Sequence, residues 1–582
     1  MKPSPRLLSF LSVLCVSAVN SSSLAQEHIP AKVEIPFDRY YKYAQIEDYL
    51  QKIAAAYPDI VELRNIGKSG EGRNLWVTIV NSPKTGPHTS KPAMWIDGNV
   101  HGNEIQAGEA VLYSLWYLTK AYGVNPDLTK LLDNYSFYFL CSQNPDGREH
   151  WFLDVQNSSS SRSNRRPVDN DRDGKADEDA PEDLNGDGSI NQMWKADPSG
   201  QWIRDRVDPR IFTRVGPGEK GEWTQLGEEG IDNDGDGRIN EDGPGGDDMN
   251  RNWPSDWQPD YVQNGAGLFP FSNPEPRAIG RFIMDRPNIA GVQSYHNAGG
   301  MILRGPGASY RENAYPGGDR AVYDEIASKG EDMLPYYKSM VIFRDLYTVH
   351  GGFVNWTAEG LGIFSFTNEM WNNAKYFQRD IADPDDKRMW LFRDRLQFGQ
   401  VFTPYKEFDH PQFGKVLIGG LNKWSSRVTP TFMLEEECHR NFAFTIFHAD
   451  QMPILSFGRT EVTKSGGLWV LTTEVRNEKL MPSRSGFARQ KGIGTNDLLI
   501  CEPGSAKIAT VGTLSSWIDT RIDPIKHEPA RIQLEGGIPG KSGVIFRYYI
   551  SGKEGDSITL RYQSEKAKEI ETKITLKETA AK

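Results

Sequence analysis

The sequence predicts an α/β domain, built on a largely buried sheet flanked by helices, that is followed by an all-β sandwich. Two observations support this prediction. Between about residues 35 and 160, amphipathic segments alternate with short apolar runs, as in folds that cover a sheet with helices. After about residue 453, segments with alternating or β-rich side chains are separated by turn residues, which is typical of a sandwich. We therefore divide the chain into residues 26–452 and 453–582.

The segments of the first region fit helices and strands in turn. QIEDYLQKIAAAYPDI has apolar residues at helical spacing, while NLWVTIVN and PAMWIDGN are short runs typical of buried strands. AGEAVLYSLWYLTKAYG is predicted to be a helix, and YSFYFLCSQNPDG a strand that ends in a turn. In such sheets ligands bind beyond the carboxyl ends of the strands, so the residues after PAMWIDGN are candidates for a site.

The first 25 residues differ from the rest of the chain. Lys2 and Arg6 make a basic start, Leu7 to Val19 is mostly apolar, and Ser23-Leu24-Ala25 resembles a small-residue cleavage site. This apolar run is too short to span a membrane well, and no later run is long and apolar enough. We expect residues 1–25 to be a signal peptide, the mature protein to be secreted or periplasmic, and the chain to have no membrane span.

The cysteines limit how the fold is held together and what kind of metal site is available. Cys141, Cys438 and Cys501 remain after the expected cleavage, so at most one disulfide can form and there is no disulfide framework. The sequence has no Cys-x-x-Cys, and any metal site must therefore use histidines and carboxylates.

Two acidic segments, residues 169–191 and 230–248, interrupt the first domain within an insertion at about residues 167–248. They carry the whole net negative charge of the mature chain, so this acidity is no sign of a cationic partner, and we expect no nucleic-acid partner. Three copies of a D-x-[DN]-x-D-G pattern have oxygens at every second position before a glycine, which suits calcium. The copies are Asp169/Asp171/Asp173, Asp183/Asn185/Asp187 and Asp232/Asp234/Asp236. All lack the glutamate of a complete EF-hand at the twelfth position, and a solvated acidic insertion is the alternative.

His101 and Glu104 make a candidate metal half-site directly after a predicted buried strand. A catalytic zinc ion needs a third protein ligand and an open position for water. His296 is the distinctive candidate, since it ends the apolar run IAGVQSYHNAGG and precedes small residues. A single histidine at a strand end is more often a surface or packing residue, so the spacing alone leaves both interpretations open.

Further motifs resemble the zinc carboxypeptidases of the carboxypeptidase A type. His101-Gly-Asn-Glu104 is similar to the family's H-x-x-E ligand pair, and His296 to its distant third ligand. The other similar segments are NPDG at residues 144–147, RSNRR at 162–166, NRNW at 250–253, and YTVHGGFVNWTAEGLGIFSFTNE at 347–369. The resemblance covers about residues 38 to at least 400, interrupted by the acidic insertion, and implies a mixed sheet flanked by helices.

The resemblance also implies roles for the polar residues near the metal. His101, Glu104 and His296 would hold zinc, and Glu369 would be the general base that takes a proton from water and passes it to the leaving amine. Arg162 would stabilise the oxyanion, with Arg165 and Arg166 as rivals, because Ser161 and Ser163 replace the family's usual Trp and Lys.

Substrate binding follows from the same resemblance. Arg251 would bind the terminal carboxylate of the substrate at two points, Asn250 would add a donor, and Tyr347 would close over the same group. Val354 corresponds to the pocket for the C-terminal side chain, where an acid would select Lys or Arg and valine suits an apolar or aromatic group. Phe353 would narrow this pocket.

We therefore predict a secreted or periplasmic zinc metallocarboxypeptidase that acts on the C-termini of peptides or proteins. One alternative is a zinc amidase that acts on peptidoglycan stem peptides or acyl-amino acids. Another is a catalytically silent relative that binds peptides, which the retention of all three ligands and Glu369 disfavours. The sequence leaves the oligomeric state and the role of residues 453–582 open.

Overall fold

The computed structural model describes residues 29–379 and 386–579, and the expected signal peptide lies outside these ranges. Among the helices in these ranges, none has both the length and the apolar character needed to cross a bilayer. The three cysteines of these ranges are buried and unpaired, consistent with a fold that uses no disulfide framework.

The described chain contains helices and strands throughout its length. The helices are α1 (Tyr43–Ala56), α2 (Ile105–Ala121), α3 (Pro126–Asn134), α4 (Pro145–Leu153), α5 (Pro274–Met284), α6 (Gly317–Met333), α7 (Phe353–Leu361), α8 (Ala374–Phe377), α9 (Asp386–Arg395), α10 (Leu434–Asp450) and α11 (Gly486–Lys491). The strands of the first part are β1 (Val61–Lys68), β2 (Asn74–Val80), β3 (Ala93–Gly98), β4 (Ser136–Leu140), β5 (Gln192–Ala196), β6 (Trp202–Arg204), β7 (Phe212–Arg214), β8 (Trp223–Glu228), β9 (Ile289–Asn297), β10 (Met301–Arg304), β11 (Lys338–Val341), β12 (Phe364–Met370), β13 (Phe402–His410) and β14 (Gly414–Leu421). Those of the last part are β15 (Leu455–Ser465), β16 (Leu468–Asn477), β17 (Asp497–Glu502), β18 (Lys507–Leu514), β19 (Asp523–Pro524), β20 (Arg531–Leu534), β21 (Ser542–Ser551), β22 (Ser557–Gln563) and β23 (Ile570–Thr575).

The central element is a mixed eight-stranded sheet with the strand order β1-β2-β4-β3-β9-β12-β10-β11. Its middle strands β3, β9 and β12 run parallel to one another, so their carboxyl ends meet at one edge. Along β3, Met94 and Ile96 pack into one apolar core and Trp95 into another, which shows that both faces of the sheet are covered. The predicted α/β fold with a buried mixed sheet is therefore confirmed.

The helices pack on both faces, and the predicted α1 and α2 are observed. Helices α2, α6 and α10 contribute to the core on one face, while α5 and α7 contribute to the core on the other. One prediction needs correction: NPDG at 144–147 is not only a turn, because it begins α4. Asn144 caps this helix by accepting a hydrogen bond from the Gly147 amide, with Pro145 in the first turn.

His448 of α10 makes the fold sensitive to acid. The ring is fully buried, and burial lowers its pKa to about 3. A lowered pKa in the folded state means that the stabilisation is present above the unfolded value near 6.5 and is lost as pH falls toward 3. We expect this group alone to reduce the free energy of unfolding by about 2 kcal/mol between pH 7 and pH 5.

Urea unfolding at both pH values tests this expectation. The pH-dependent loss should shrink in His448→Gln, whereas His527→Gln, which changes an exposed histidine, should behave like the wild type. An equal loss in all three proteins would contradict the assignment.

The insertion is more ordered than the sequence predicted. We expected two acidic loops, but their intervening residues form β5 to β8, which join β13 and β14 in a six-stranded antiparallel sheet of order β13-β14-β5-β8-β6-β7. The indole of Trp194 stacks on Phe212 with ring centroids 3.8 Å apart. The sequence did not predict this sheet because its strands are short and lie far apart along the chain.

The last part of the chain forms two antiparallel sheets, of five and four strands, that share one apolar core. This agrees with the predicted all-β region after residue 453. Helix α11 contacts the first part of the chain, since the Asp319 carboxylate accepts hydrogen bonds from the Gly486 and Phe487 amides. Phe487 also packs edge-on against Tyr315 at 4.6 Å between ring centroids.

Candidate active site

His101, Glu104 and His296 meet at the carboxyl edge of the central sheet. His101 Nδ1 lies 2.8 Å from Glu104 Oε1, and His296 Nδ1 lies 3.0 Å from Glu104 Oε2. One ligand atom from each of the three residues lies within 4.8 Å of the others. All three side chains are almost completely buried.

The parallel strands explain this convergence. His101 and Glu104 follow the end of β3, His296 lies near the end of β9, and Glu369 lies near the end of β12. Glu369 and His296 are direct neighbours in the register of β12 and β9. The sheet therefore places the candidate base beside a candidate ligand.

Gly102 allows a close approach between the ligand loop and the segment that carries Arg162. A Cβ atom at Gly102 would lie 2.6 Å from Gly147 Cα and closer still to the Ser161 carbonyl oxygen, nearer than any side chain tolerates. The Gly102 amide also donates to the Arg162 carbonyl at 3.1 Å. A glycine between the two ligands thus holds the Arg162 segment beside them.

The donor set fits zinc. His296 Nδ1 is buried and its one close polar neighbour is Glu104 Oε2 at 3.0 Å, so these two ligand atoms face the same point. Burial favours protonation of Glu104, but the positive charge of His101 and His296 outweighs it and holds the pKa of Glu104 well below its usual range. Two histidine nitrogens and one carboxylate are ligands that a catalytic zinc site uses.

Asp248 is a site residue that the sequence interpretation missed. Its Oδ1 lies 3.1 Å from His101 Nε2, and its Oδ2 accepts from Arg162 Nε at 3.2 Å. Asp248 Oδ2 also lies 3.8 Å from Arg251 Nη2. A carboxylate on the second ring nitrogen orients a metal-binding histidine. Its position two residues before Asn250 was the available signal.

Replacing Asp248 by alanine should weaken zinc binding about 10- to 100-fold, because His101 would lose the partner that orients its ring. Competition with a chelator measures this affinity. Asp247→Ala is the matched control, since Asp247 pairs with Arg166 and contacts none of the three ligands in the described structure. Equal zinc affinity in the two variants would refute the role of Asp248.

The structure separates the three arginines between which the sequence could not choose. Arg162 Nη1 lies 3.3 Å from Glu104 Oε1, and Arg162 lines the cavity in front of the ligands. Arg166 instead pairs with Asp247 at 2.6 Å. Neither Arg165 nor Arg166 is among the residues that line this cavity.

Asn250, Arg251 and Tyr347 form a cluster in the same cavity, which has a volume of about 510 Å³. Arg251 Nη2 donates to the Tyr347 hydroxyl at 3.4 Å, and its guanidinium lies 5.9 Å from the centre of the Tyr347 ring. Asn250 Oδ1 accepts from the Phe353 amide at 2.9 Å. Because the side-chain oxygen of Asn250 accepts this bond, the side-chain NH₂ group is the end that can donate to a ligand.

Val354 lies in the apolar part of the cavity wall with Leu303, Ile342 and Val349. Phe353 is placed differently from our expectation: it does not line the cavity but is buried against Trp253, with ring centroids 4.7 Å apart. Phe353 therefore supports the pocket from behind and does not narrow it.

Glu369 faces the cavity, where burial and the negative charge of Glu104 raise its pKa to about 7. Its Oε1 lies 4.0 Å from His296 Nδ1. The positive charges of His296, Arg162 and Arg427 oppose this rise. Arg427 also lines the cavity and is a second residue that the sequence interpretation missed.

The three D-x-[DN]-x-D-G segments adopt the same turn conformation. In each, the first aspartate accepts a hydrogen bond from the amide of the glycine five residues later: Gly174 to Asp169 at 3.0 Å, Gly188 to Asp183 at 2.8 Å, and Gly237 to Asp232 at 3.0 Å. These glycines have φ between +84° and +102°, which explains their place in the pattern.

Carboxylates from separate segments converge at these turns. In four sets of residues, called the four carboxylate groups below, one carboxylate oxygen of each member lies within 4.8 Å of those of the others. The sets are Asp171/Asp234/Asp236/Glu241, Asp171/Asp173/Glu178/Asp234, Asp169/Asp171/Asp242 and Asp183/Asp187/Glu229. Both carboxylate oxygens of Glu178 and Glu241 are buried without a hydrogen-bond partner in the described structure. These glutamates occupy the tenth loop position, where the EF-hand pattern gave no reason to look.

Two of the predicted calcium ligands, Asn185 and Asp232, also bond within their own turns. Asn185 Oδ1 accepts a hydrogen bond from the Asp187 amide at 2.9 Å, while its Nδ2, a donor that no cation can use, is buried without a partner in the described structure. Asp232 accepts hydrogen bonds from the Gly235 and Gly237 amides at 2.6 and 3.0 Å. Their oxygens therefore stabilise the turns, because short polar side chains bond readily to nearby backbone amides.

Comparison with known proteins identifies the family. The zinc carboxypeptidase family model matches residues 46–391, more than half of the chain. The chain belongs to the zinc carboxypeptidase family. Carboxypeptidase D of Anas platyrhynchos is 31% identical over 153 residues, which cover 25% of this chain and 11% of that protein. Carboxypeptidase M of Mus musculus is 34% identical over 121 residues, which cover 21% and 27%. The matched segments therefore span about a quarter or less of these relatives.

Solved structures were also compared. Carboxypeptidase A from Helicoverpa armigera gives a TM-score of 0.43 with 17% identity, covering 73% of this chain and 78% of that chain. Bovine thrombin-activatable fibrinolysis inhibitor, in complex with tick carboxypeptidase inhibitor, gives 0.43 with 18% identity, covering 71% and 97%.

Proposed function

We propose that the protein is a zinc-dependent carboxypeptidase that hydrolyses the C-terminal bond of peptides. One observation supports this above the others: the Asn250–Arg251–Tyr347 cluster and the three candidate zinc ligands line one cavity. A guanidinium with adjacent donors suits a terminal carboxylate, which a bond in the middle of a peptide cannot offer. The cluster would therefore favour peptide substrates that present a free C-terminus.

Different side chains of the cavity would carry out different steps of the hydrolysis. Zinc held by His101, Glu104 and His296 would polarise the scissile carbonyl and acidify a water molecule. Glu369 would accept the water proton at its carboxylate and deliver it to the leaving amine. A nearby dication favours the ionised form of a carboxylate, so Glu369 would be charged at neutral pH in the loaded enzyme. Arg162 would donate to the oxyanion.

The pocket chemistry supports a preference for apolar or aromatic C-terminal residues. Val354, Leu303, Ile342 and Val349 supply an apolar wall, and no carboxylate stands at the Val354 position to attract lysine or arginine. Burial of a large apolar side chain there would contribute about 1.5–3 kcal/mol.

Hydrolysis of a panel of N-blocked dipeptides, with and without a chelator, tests the proposal. Peptides that end in Phe or Leu should be cleaved best, those that end in Lys or Glu poorly, and the chelator should abolish cleavage until zinc is restored. Hydrolysis of acyl-amino acids or stem peptides in preference to dipeptides would favour the amidase. Peptide binding without any hydrolysis would favour a silent relative.

We also propose that the acidic insertion binds calcium through its three D-x-[DN]-x-D-G segments, together with Glu178, Glu241, Asp242 and Glu229. The buried oxygens of Glu178 and Glu241 have no partner in the described structure, and each lies near one aspartate from the opposite loop, Asp234 and Asp171 respectively. The loops are also tied together, because the side-chain amides of Asn170 and Asn233 donate to Asp242 and Asp179, both at 3.0 Å. Carboxylate oxygens from two segments suit a hard cation that joins them.

Calcium at about 100 times its dissociation constant should therefore stabilise the wild type by about 2.7 kcal/mol and protect the insertion from proteolysis. Glu178→Gln and Glu241→Gln should each reduce this gain, although the Asp183/Asp187/Glu229 group remains, while Glu222→Gln, in the same insertion but outside the four groups, should keep all of it. Unchanged melting temperature and proteolysis in calcium would refute the site.

Finally, we propose that the protein is exported and that residues 453–582 are an accessory domain. The basic start, apolar run and small-residue site of residues 1–25 support export. N-terminal sequencing of protein recovered from the medium or periplasm should begin at Gln26, and an intact Met1 would contradict cleavage.

A further inference from the structure

Arg427 reaches the active-site cavity from a part of the chain outside the matched family segment. It lies between β14 and α10 and lines the cavity with Asn297, Ala298 and Glu369. Its carbonyl accepts a hydrogen bond from Asn297 Nδ2 at 2.9 Å. Since Asn297 directly follows the candidate ligand His296, the backbone of Arg427 is anchored beside the metal site.

Within the described residues the Arg427 side chain has no directly paired acid, although its positive charge opposes the rise in the pKa of Glu369 across the cavity. Arg162 pairs with Glu104 and Asp248, and Arg251 contacts Asp248 and Tyr347. The Arg427 side chain, in contrast, makes no hydrogen bond or ion pair in the described structure, although it is partly buried. A partly desolvated guanidinium without a partner favours an anionic ligand.

The backbone of Arg427 points to the same interpretation. Its φ of +63° lies in the left-handed region, which costs a non-glycine residue about 1 kcal/mol or more. Glycine would adopt this conformation without the cost. Strain of this kind is typical of residues held in place for binding.

A second cavity shows which part of a substrate would pass Arg427. This cavity, of about 370 Å³, shares Ala298 and Arg427 with the catalytic cavity and contains no residue of the Asn250–Arg251–Tyr347 cluster. Its other polar lining residues are Asn372, Asn373, Arg393, Ser425 and Ser426, and no carboxylate is among its described lining residues. A peptide held at Arg251 by its terminal carboxylate would extend its amino side into this second cavity.

We propose that Arg427 binds a carboxylate on the amino side of the scissile bond, so that the enzyme prefers peptides with Glu or Asp in one of the two residues before the C-terminal one. The inference rests on the proposed carboxypeptidase function and names a substrate class for it. The guanidinium would form charge-assisted hydrogen bonds with the acidic side chain, and the surrounding amides and hydroxyls would bind the peptide backbone.

The test uses the zinc-loaded full chain and N-acetylated tripeptides that end in Phe. Glu, Gln, Ala or Lys is placed in turn at each of the two preceding positions. In the wild type, kcat/KM should be roughly tenfold to hundredfold higher for Glu than for Gln at one of them. Arg427→Met and Arg427→Gly should bring this ratio close to one, and the glycine variant also relieves the backbone. Arg64→Met, an exposed arginine on β1, should keep the wild-type ratio.

A uniform loss of kcat for all peptides, with the Glu/Gln ratio unchanged, would overturn the proposal and assign Arg427 to the oxyanion. Equal rates for Glu and Gln peptides in the wild type would also overturn it, while leaving the carboxypeptidase function intact. If no peptide is cleaved, the proposed function fails, and calorimetric binding of the same Glu and Gln peptides to wild type and Arg427→Met decides the inference separately. Tighter binding of the Glu peptide that depends on Arg427 would support it, and equal binding would refute it.

Discussion

Glu369→Gln should bind zinc as the wild type does and lose about 10³-fold in kcat. The amide keeps the size of the side chain and one oxygen, but it cannot accept the proton from water. General base catalysis contributes about 10²- to 10⁴-fold, and the same group is proposed to protonate the leaving amine. Steady-state kinetics together with metal analysis of the purified variant measure both quantities.

Glu275→Gln is a matched control for this experiment. Glu275 is also a buried glutamate whose pKa burial raises to about 7, but it accepts a hydrogen bond from the Gly70 amide and lies outside the cavity. This variant should retain its activity. Substantial turnover by Glu369→Gln at full zinc occupancy would exclude Glu369 as the base.

Arg251→Met should reduce kcat/KM for substrates with a free C-terminus by roughly 30- to 5,000-fold. The reason is that a buried charge pair with the substrate carboxylate would be lost, at a cost of about 2–5 kcal/mol. Amidation of the C-terminus should cost the wild type a similar factor, since it removes the other partner of the same pair. Arg251→Met acting on an amidated substrate should lose little more kcat/KM than either change alone. The reason is that the two changes remove the same interaction.

Arg440→Met, which removes a half-exposed arginine paired with Glu436 on α10, should not change the preference for a free C-terminus. Strictly additive losses in Arg251→Met and the amidated substrate would show that Arg251 does not contact the terminal carboxylate. Equal cleavage of free and amidated peptides by the wild type would contradict exopeptidase action altogether.

Much of the fold and part of the candidate site were predictable because the relevant signals are local. Apolar runs before His101 and before Glu369, and the run that ends at His296, indicated strands that end in polar residues. Parallel strands bring their carboxyl ends to one edge, so residues at three strand ends were expected to converge. The structure places them there, with Glu369 and His296 paired in register.

Other site residues could not be predicted because they lie far apart along the chain and carry no local pattern. Asp248 reaches His101 across 147 residues, and Arg427 reaches the cavity from beyond the motifs. Glu178 and Glu241 join the carboxylate groups only because two loops fold against each other. The inserted sheet was missed for the same reason, since its strands are short and its partners β13 and β14 follow much later.

The sequence by itself determined the ligand types, the strand ends that carry them and the apolar character of the position at Val354. Local periodicity and motif spacing are enough for these features, because each depends on neighbouring residues. Only the tertiary structure decided that Arg162, and not Arg165 or Arg166, faces the ligands, and that Phe353 is buried behind the pocket. Adjacent side chains point in different directions, and which of them reaches a cavity depends on contacts between segments that are distant in the chain.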